Sequence, residues 1–207
     1  MNGYRDRAHA GDVLGEALST YRHRPDVTVL GLVRGGVPVA ARVAHALGVP
    51  LDVLVVRKLG VPWAPELAFG ALGPGGVQVL NPDVARRVRL AERASVTAAE
   101  ATEVERLEEL YRAGRRPLML AGRTAILVDD GLATGATAEA AVEVARRLGA
   151  ARVVVAVPVG APEAVDRLAK AADEVCCPLA PWHFGAVSRF YQHFAQVSTE
   201  EVAALLR

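Results

Sequence analysis

The sequence predicts an α/β fold: a mainly parallel central sheet flanked by helices, with a small hood built from the terminal segments. Short β-branched runs alternate with Ala-rich or amphipathic stretches along most of the chain, the pattern of repeated βαβ units. Hydrophobic residues fill 52% of the 207 positions and aromatics only 5%, so the interior has to be built from Val, Leu and Ala. That composition suits helices packed on parallel strands. The length favours one domain spanning 1–207.

The first element is a helix over roughly Asp6 to Tyr21, with Val13, Leu14, Ala17, Leu18 and Tyr21 on one side. Strands are expected over 27–33 (VTVLGLV), 51–56 (LDVLVV), 124–130 (TAILVDD), 151–159 (ARVVVAVPV) and 173–177 (DEVCC). Helical spacing of apolar residues places helices over Val37 to Leu47, Ala136 to Leu148 and Pro162 to Ala171.

Two regions break the alternation. The Gly- and Pro-rich stretch at about 58–76 reads as a mobile functional loop, because a connection that long inside a compact domain is rarely scaffold. Asn81-Pro82-Asp83 then starts a helical insertion at about 82–113, since Asn caps a helix and Pro suits its first turn. The insertion is either one long helix or a helical hairpin. Its apolar stripe of Val84, Val88, Ala91, Val104, Leu107 and Tyr111 packs on the sheet or forms a subunit interface.

Lys plus Arg number 24 against 23 Asp plus Glu, which leaves no general field for drawing in nucleic acid or an anionic membrane. Neither is expected as a partner. The opening residues lack the apolar core of a signal peptide and no later run is long enough to span a bilayer, so a cytoplasmic location is expected. Cys176 and Cys177 are the only cysteines and read as buried strand residues, too few for a zinc site or a disulfide framework.

Chemistry concentrates in Ile126 to Thr137 (ILVDDGLATGAT), an apolar strand running into two acids, a loop of small residues and then a helix. Ligands of open parallel sheets collect at the carboxyl ends of strands, where Asp129 and Asp130 fall. Gly131, Ala133, Gly135 and Ala136 allow a phosphate to approach the backbone, and Thr134 and Thr137 add hydroxyl donors. Carboxylates beside a phosphate make sense if the ligand also presents a vicinal diol and a divalent cation, as ribose 5-phosphate with Mg²⁺ does. Arg34-Gly35-Gly36, between a strand and a helix, offers a guanidinium and an exposed backbone to a second anionic group, and its spacing is wrong for a dinucleotide fingerprint.

The Ile126–Thr137 string resembles the phosphoribosyl pyrophosphate (PRPP) signature of type I phosphoribosyltransferases. GLVRGGVPVA (31–40) resembles the pyrophosphate loop of that family, and VVRKLGVP (55–62) the strand end before its flexible catalytic loop. RKLGVPWAPELAFGAL and FGAVSRFYQHFAQVSTEEV are similar to a branch of uncharacterised bacterial members, from which the chain departs at Ala64 (commonly Asn) and Val33 (often Pro). The resemblance implies a type I phosphoribosyltransferase-like fold and transfer of a phosphoribosyl group from PRPP to a small, nitrogenous base, with release of pyrophosphate. The alternative is a PRPP-binding regulatory protein with little turnover. By the same resemblance Arg34, Gly35, Gly36, Arg57, Asp129, Asp130, Gly131, Ala133, Thr134, Gly135, Ala136 and Thr137 bind PRPP. Lys58 and Asp130 are catalytic, and Mg²⁺ is held by Asp129 and Asp130 through water. Glu66 either accepts a proton from the incoming base or is an exposed loop acid. Trp182, Phe184 and Phe190, in a hood over about 178–207, either cover the acceptor or pack a tail on the sheet edge. The unidentified base and PRPP are the small-molecule partners; members of the family commonly pair, so the resemblance allows a homodimer, and the sequence itself does not set the subunit number.

Overall fold

The computed structural model describes residues 3–112 and 114–207, with Pro65 and Glu66 described in their backbone only. Five strands, β1 (Val27–Leu32), β2 (Leu51–Leu54), β6 (Thr124–Val128), β7 (Arg152–Ala156) and β8 (Glu174–Cys176), form a wholly parallel sheet in the order β2-β1-β6-β7-β8. The expected α/β architecture is therefore present. Each strand is shorter than the run expected for it: β6 stops where the apolar residues give way to Asp129 and Asp130, and elsewhere the chain leaves the ladder before the hydrophobic residues end. Val55 and Val157, for example, are fully buried beyond β2 and β7.

Helices cover both faces. On one side α2 (Gly36–Leu47) packs with α1 (Arg7–Ala17) over Val27, Val29, Ile126, Val128 and Val154. On the other, α5 (Ala136–Arg147) and α6 (Pro162–Ala171) cover Leu30, Leu127, Val153 and Val155. The side expected for α1 needs correction: Leu14, Leu18 and Tyr21 are buried, whereas Val13 and Ala17 are exposed. Gly11 and Gly15 take their place, letting α1 approach α2 so closely that a Cβ on Gly11 would lie 2.6 Å from the Arg42 Cβ.

The stretch 58–76, expected as a loop, is largely paired backbone. β3 (Arg57–Val61) turns at Pro62 and Trp63 into β4 (Ala64–Leu72), and β5 (Gln78–Leu80) completes a three-stranded antiparallel sheet. Its buried residues Leu59, Val61 and Phe69 obey a strand period that the intervening Gly and Pro obscure. The insertion is neither one helix nor a hairpin of comparable arms, but a single turn, α3 (Pro82–Ala85), followed by α4 (Leu90–Arg112). Val88, Val104 and Tyr111 pack with Leu59, Val61 and Phe69 of the small sheet, while Ala91 is exposed. Cys176 and Cys177 are half-buried, and burial pushes both thiols upward, Cys177 to about 11.

The hood is stitched from both termini. Tyr4 donates to the Phe190 carbonyl at 2.7 Å, and Gln192 and His193 donate back to Tyr4 and Arg5, each at 2.9 Å. Below it α7 (Thr199–Leu205) inserts Val202 into the core shared by the two sheets.

Candidate functional site

β1 and β6 are neighbours in parallel register, with Gly31 opposite Val128, so the loops leaving their carboxyl ends emerge side by side. One carries Arg34 and Gly35, and the other carries Asp129 and Asp130. The approach is tight enough to exclude any side chain: a Cβ on Gly35 would fall 2.2 Å from Asp130 Oδ2, and one on Gly36 would fall 2.3 Å from the Val128 carbonyl oxygen. Arg34 is exposed and joined to Val33 by a cis peptide.

The loop from Gly131 to Gly135 is held at its centre. Leu132 donates to the Val159 carbonyl at 2.9 Å and accepts from Ala161 at 2.8 Å, and Arg167 donates to the Thr134 carbonyl from outside. Gly135 takes φ +77°, a left-handed conformation open to glycine at no steric cost, and so turns the chain into α5. It offers no side-chain cap. Among the described residues the amides of Ala136, Thr137 and Ala138 are left with only a long contact, Ala136 to Thr134 Oγ1 at 3.5 Å, ahead of Glu139, which bonds to the Gly135 carbonyl; the Asp6 and Ser198 side chains, by contrast, cap α1 and α7. An uncapped helix start behind a small-residue loop is suited to an anion.

The acids differ in their partners. Asp129 Oδ1 accepts from the Asp130 amide at 2.9 Å, and burial, reinforced by the neighbouring Asp130 charge, raises its carboxyl to about 8. Asp130 is ion-paired instead. Arg7 donates to its Oδ2 through Nε at 2.9 Å and Nη2 at 2.7 Å, and the Tyr191 hydroxyl donates to its carbonyl at 2.6 Å.

Arg7, Arg34, Gly35 and Asp130 line a cleft of about 550 Å³ whose opposite wall is Val187 and Phe194 to Val197. Lys58 is elsewhere. It lines a second cleft of about 560 Å³ between the small sheet and α5, shared with Ala136, Glu139 and Glu143. Arg57, at the start of β3 rather than at the end of β2, pairs with Glu100 of α4 at 2.7 Å and meets Arg34 in a third hollow. The Glu66 side chain lies outside the described residues. None of Trp182, Phe184 and Phe190 lines the Asp130 cleft: Phe184 is buried against Phe190 with ring centroids 5.4 Å apart, and Trp182 is 89% exposed. The aromatic ring at that cleft is Phe194. Sequence reading missed Arg7 entirely.

The family model for the phosphoribosyl transferase domain matches residues 7–189, which holds the glycine loop, both acids and the helix behind them. The chain belongs to that family. It is 51% identical over 208 residues to the "Putative phosphoribosyl transferase Rv0571c" of Mycobacterium tuberculosis, an alignment covering 100% of this chain and 47% of the relative. The chain thus spans about half the length of the curated relatives it matches. Among solved structures, TT1426 from Thermus thermophilus is 46% identical and covers 99% of this chain and 97% of its own, with a TM-score of 0.91. The AQ2163 protein from Aquifex aeolicus, 11% identical with a TM-score of 0.51 over 84% of this chain and 74% of its own, shares the fold. In this phosphoribosyl transferase domain no described helix is long and apolar enough to cross a membrane.

Proposed function

We propose that the chain is a phosphoribosyltransferase that moves the phosphoribosyl group of PRPP to a small nitrogenous base and releases pyrophosphate. One observation carries the reading: an arginine-glycine loop, an acid pair and an uncapped helix start meet at the carboxyl ends of adjacent parallel strands. These three suit the pyrophosphate, the ribose diol and the 5-phosphate of one ligand, in that order across the site.

The amides of Gly135, Ala136 and Thr137 hold the 5-phosphate, helped by the positive end of the α5 dipole and by the Thr134 and Thr137 hydroxyls. Asp129 and Asp130 accept from the ribose hydroxyls. The bond that breaks joins the anomeric carbon to pyrophosphate, and its electron pair leaves with the pyrophosphate. The bond that forms joins the same carbon to a ring nitrogen of the base through that nitrogen's lone pair, and the N–H proton is lost to water or to the released pyrophosphate. Positive charge builds on the sugar as the bond stretches, and a fixed carboxylate beneath it stabilises that charge. Arg34, exposed beside the glycine loop, receives the departing pyrophosphate. Arg57, which meets Arg34 in the hollow beside the glycine loop, adds positive charge on the leaving-group side, whereas Lys58 lines the separate cleft against α5.

The donor set fits magnesium held through water. Asp130 Oδ2 and Asp129 Oδ1 are already engaged, no described group gathers three or more acidic, His or Cys ligands, and Mg²⁺ favours one or two carboxylates with substrate oxygens and waters. When bound, it supplies charge neutralisation to the pyrophosphate.

Pyrophosphate release from PRPP and Mg²⁺, measured with a panel of purine, pyrimidine and pyridine bases, tests the proposal. Base-dependent release and a nucleotide product are expected. PRPP binding without release with any base points to a regulatory protein.

A further inference from the structure

Arg7, the first residue of α1, grips the acid pair with its guanidinium. Nε and Nη2 both donate to one oxygen, Asp130 Oδ2, while Nη1 donates to the Ala195 carbonyl at 2.7 Å. The guanidinium also lies over the Phe194 ring, 3.9 Å from its centroid. Both ends of the pair are enclosed, with side-chain exposures of 12% for Arg7 and 15% for Asp130. Asp130 is fixed from three further directions. Gly35 abuts Oδ2, the Tyr191 hydroxyl holds the carbonyl, and the amide is spent on Asp129 Oδ1. Among the described residues no donor is bonded to Oδ1.

We propose that Arg7 is a positioning residue for the sugar: it clamps the Asp130 carboxylate in one orientation, reserves Oδ1 for a ribose hydroxyl, and ties that orientation to the wall formed by Phe194 to Val197. The inference rests on the PRPP reading above. A carboxylate free to rotate has to be ordered when the ligand arrives, and a pre-oriented one does not, so the clamp lowers the cost of binding. Lysine is a poor substitute, since a point charge lacks the planar fork that grips Oδ2 with two donors and stacks on Phe194.

The alternative is a strut that only joins the terminal segments. A double-mutant cycle separates the two, because a residue acting through Asp130 loses its effect once Asp130 is altered, whereas a strut contributes in either background. PRPP affinity is measured by calorimetry, with Mg²⁺, for the wild-type chain, Arg7→Met, Arg7→Lys, Asp130→Asn and the Arg7→Met/Asp130→Asn double variant. Circular dichroism and thermal melts establish that each is folded. Arg7→Met is expected to weaken PRPP about tenfold, as loss of a charge-assisted contact does. Arg7→Lys is expected to fall between Arg7→Met and wild type, and the Arg7 effect to vanish beside Asp130→Asn. A folded Arg7→Met, or Arg7→Lys if only that variant folds, that binds PRPP like wild type overturns the proposal and leaves the PRPP reading standing. Equal losses in both Asp130 backgrounds do the same. A wild-type chain that does not bind PRPP overturns the reading itself, and the clamp with it.

Discussion

Gly35 and Asp130 stand in van der Waals conflict with any side chain larger than hydrogen: a Cβ on Gly35 would lie 2.2 Å from Asp130 Oδ2. The neighbouring glycine is barred by different atoms. A Cβ on Gly36 would lie 2.3 Å from the Val128 carbonyl oxygen and 2.8 Å from the Asp129 Cα, which are backbone and cannot swing aside.

Alanine at the two positions should therefore fail differently. Gly35→Ala pushes a carboxylate off its place, so the melt should fall modestly while PRPP affinity falls by about tenfold or more, the usual worth of a charge-assisted contact. Gly36→Ala strains the strand end, and overpacking of that kind costs about 1–3 kcal/mol. Thermal melts with parallel calorimetry check both. A Gly35→Ala chain with wild-type affinity would show that the Asp130 orientation does not matter.

Asp129 makes stability depend on pH in the direction opposite to most carboxylates. Its carboxyl is raised from 3.8 to about 8 by burial and by Asp130, so between those values the folded chain holds a proton that the unfolded chain has lost. Stability from this group is then complete below the unfolded value and declines as pH rises through the folded one. Asp129→Asn can still accept from the Asp130 amide and carries no charge. Its melting temperature should exceed wild type at pH 8 to 9 by roughly 2–4 °C per kcal/mol recovered, with the difference closing near pH 4. A constant offset across that range would remove the assignment. PRPP binding should weaken at every pH, the cost of function appearing as recovered stability.

The aromatic residues of the hood separate packing from recognition. Phe184 is 8% exposed in a cluster with Tyr4, Val159 and Tyr191, and Trp182 is 89% exposed. Phe184→Ala should destabilise by about 3–5 kcal/mol, as large-to-small changes in a core do. Trp182→Ala should leave the melt unchanged. If kcat/KM for a base falls for Trp182→Ala without loss of stability, the exposed indole meets the acceptor. An unchanged value leaves the acceptor to the cleft lined by Phe194.

The parallel sheet and the place of the small-residue loop between the acids and α5 were legible because their signals are contiguous. A strand of five buried residues, Thr124 to Val128, runs directly into the acids, and the loop and helix follow within ten positions. The small sheet was not. Leu59, Val61 and Phe69 keep strand alternation, but Gly60, Pro62 and Gly70 dilute it, and bulges beside Gly60 break its period. The face of α1 was misread for a related reason. A hydrophobic pattern registers Val13 and Ala17 and cannot register Gly11 and Gly15, whose value is the absence of a side chain against α2. Arg7 was illegible in principle, since its partner Asp130 lies 123 positions away and nothing in a charged amino-terminal stretch singles out one arginine. The clamp exists only once the sheet has brought the carboxyl end of β6 beneath the terminal segments.

A crystal structure of the chain grown with PRPP and Mg²⁺ tests the central claim most directly. The 5-phosphate is expected within hydrogen-bond distance of the amides of Gly135, Ala136 and Thr137, with the ribose hydroxyls on Asp129 and Asp130 and the pyrophosphate beside Arg34. A phosphate-free loop from Gly131 to Thr137 at millimolar PRPP, or PRPP bound away from it, would contradict the account.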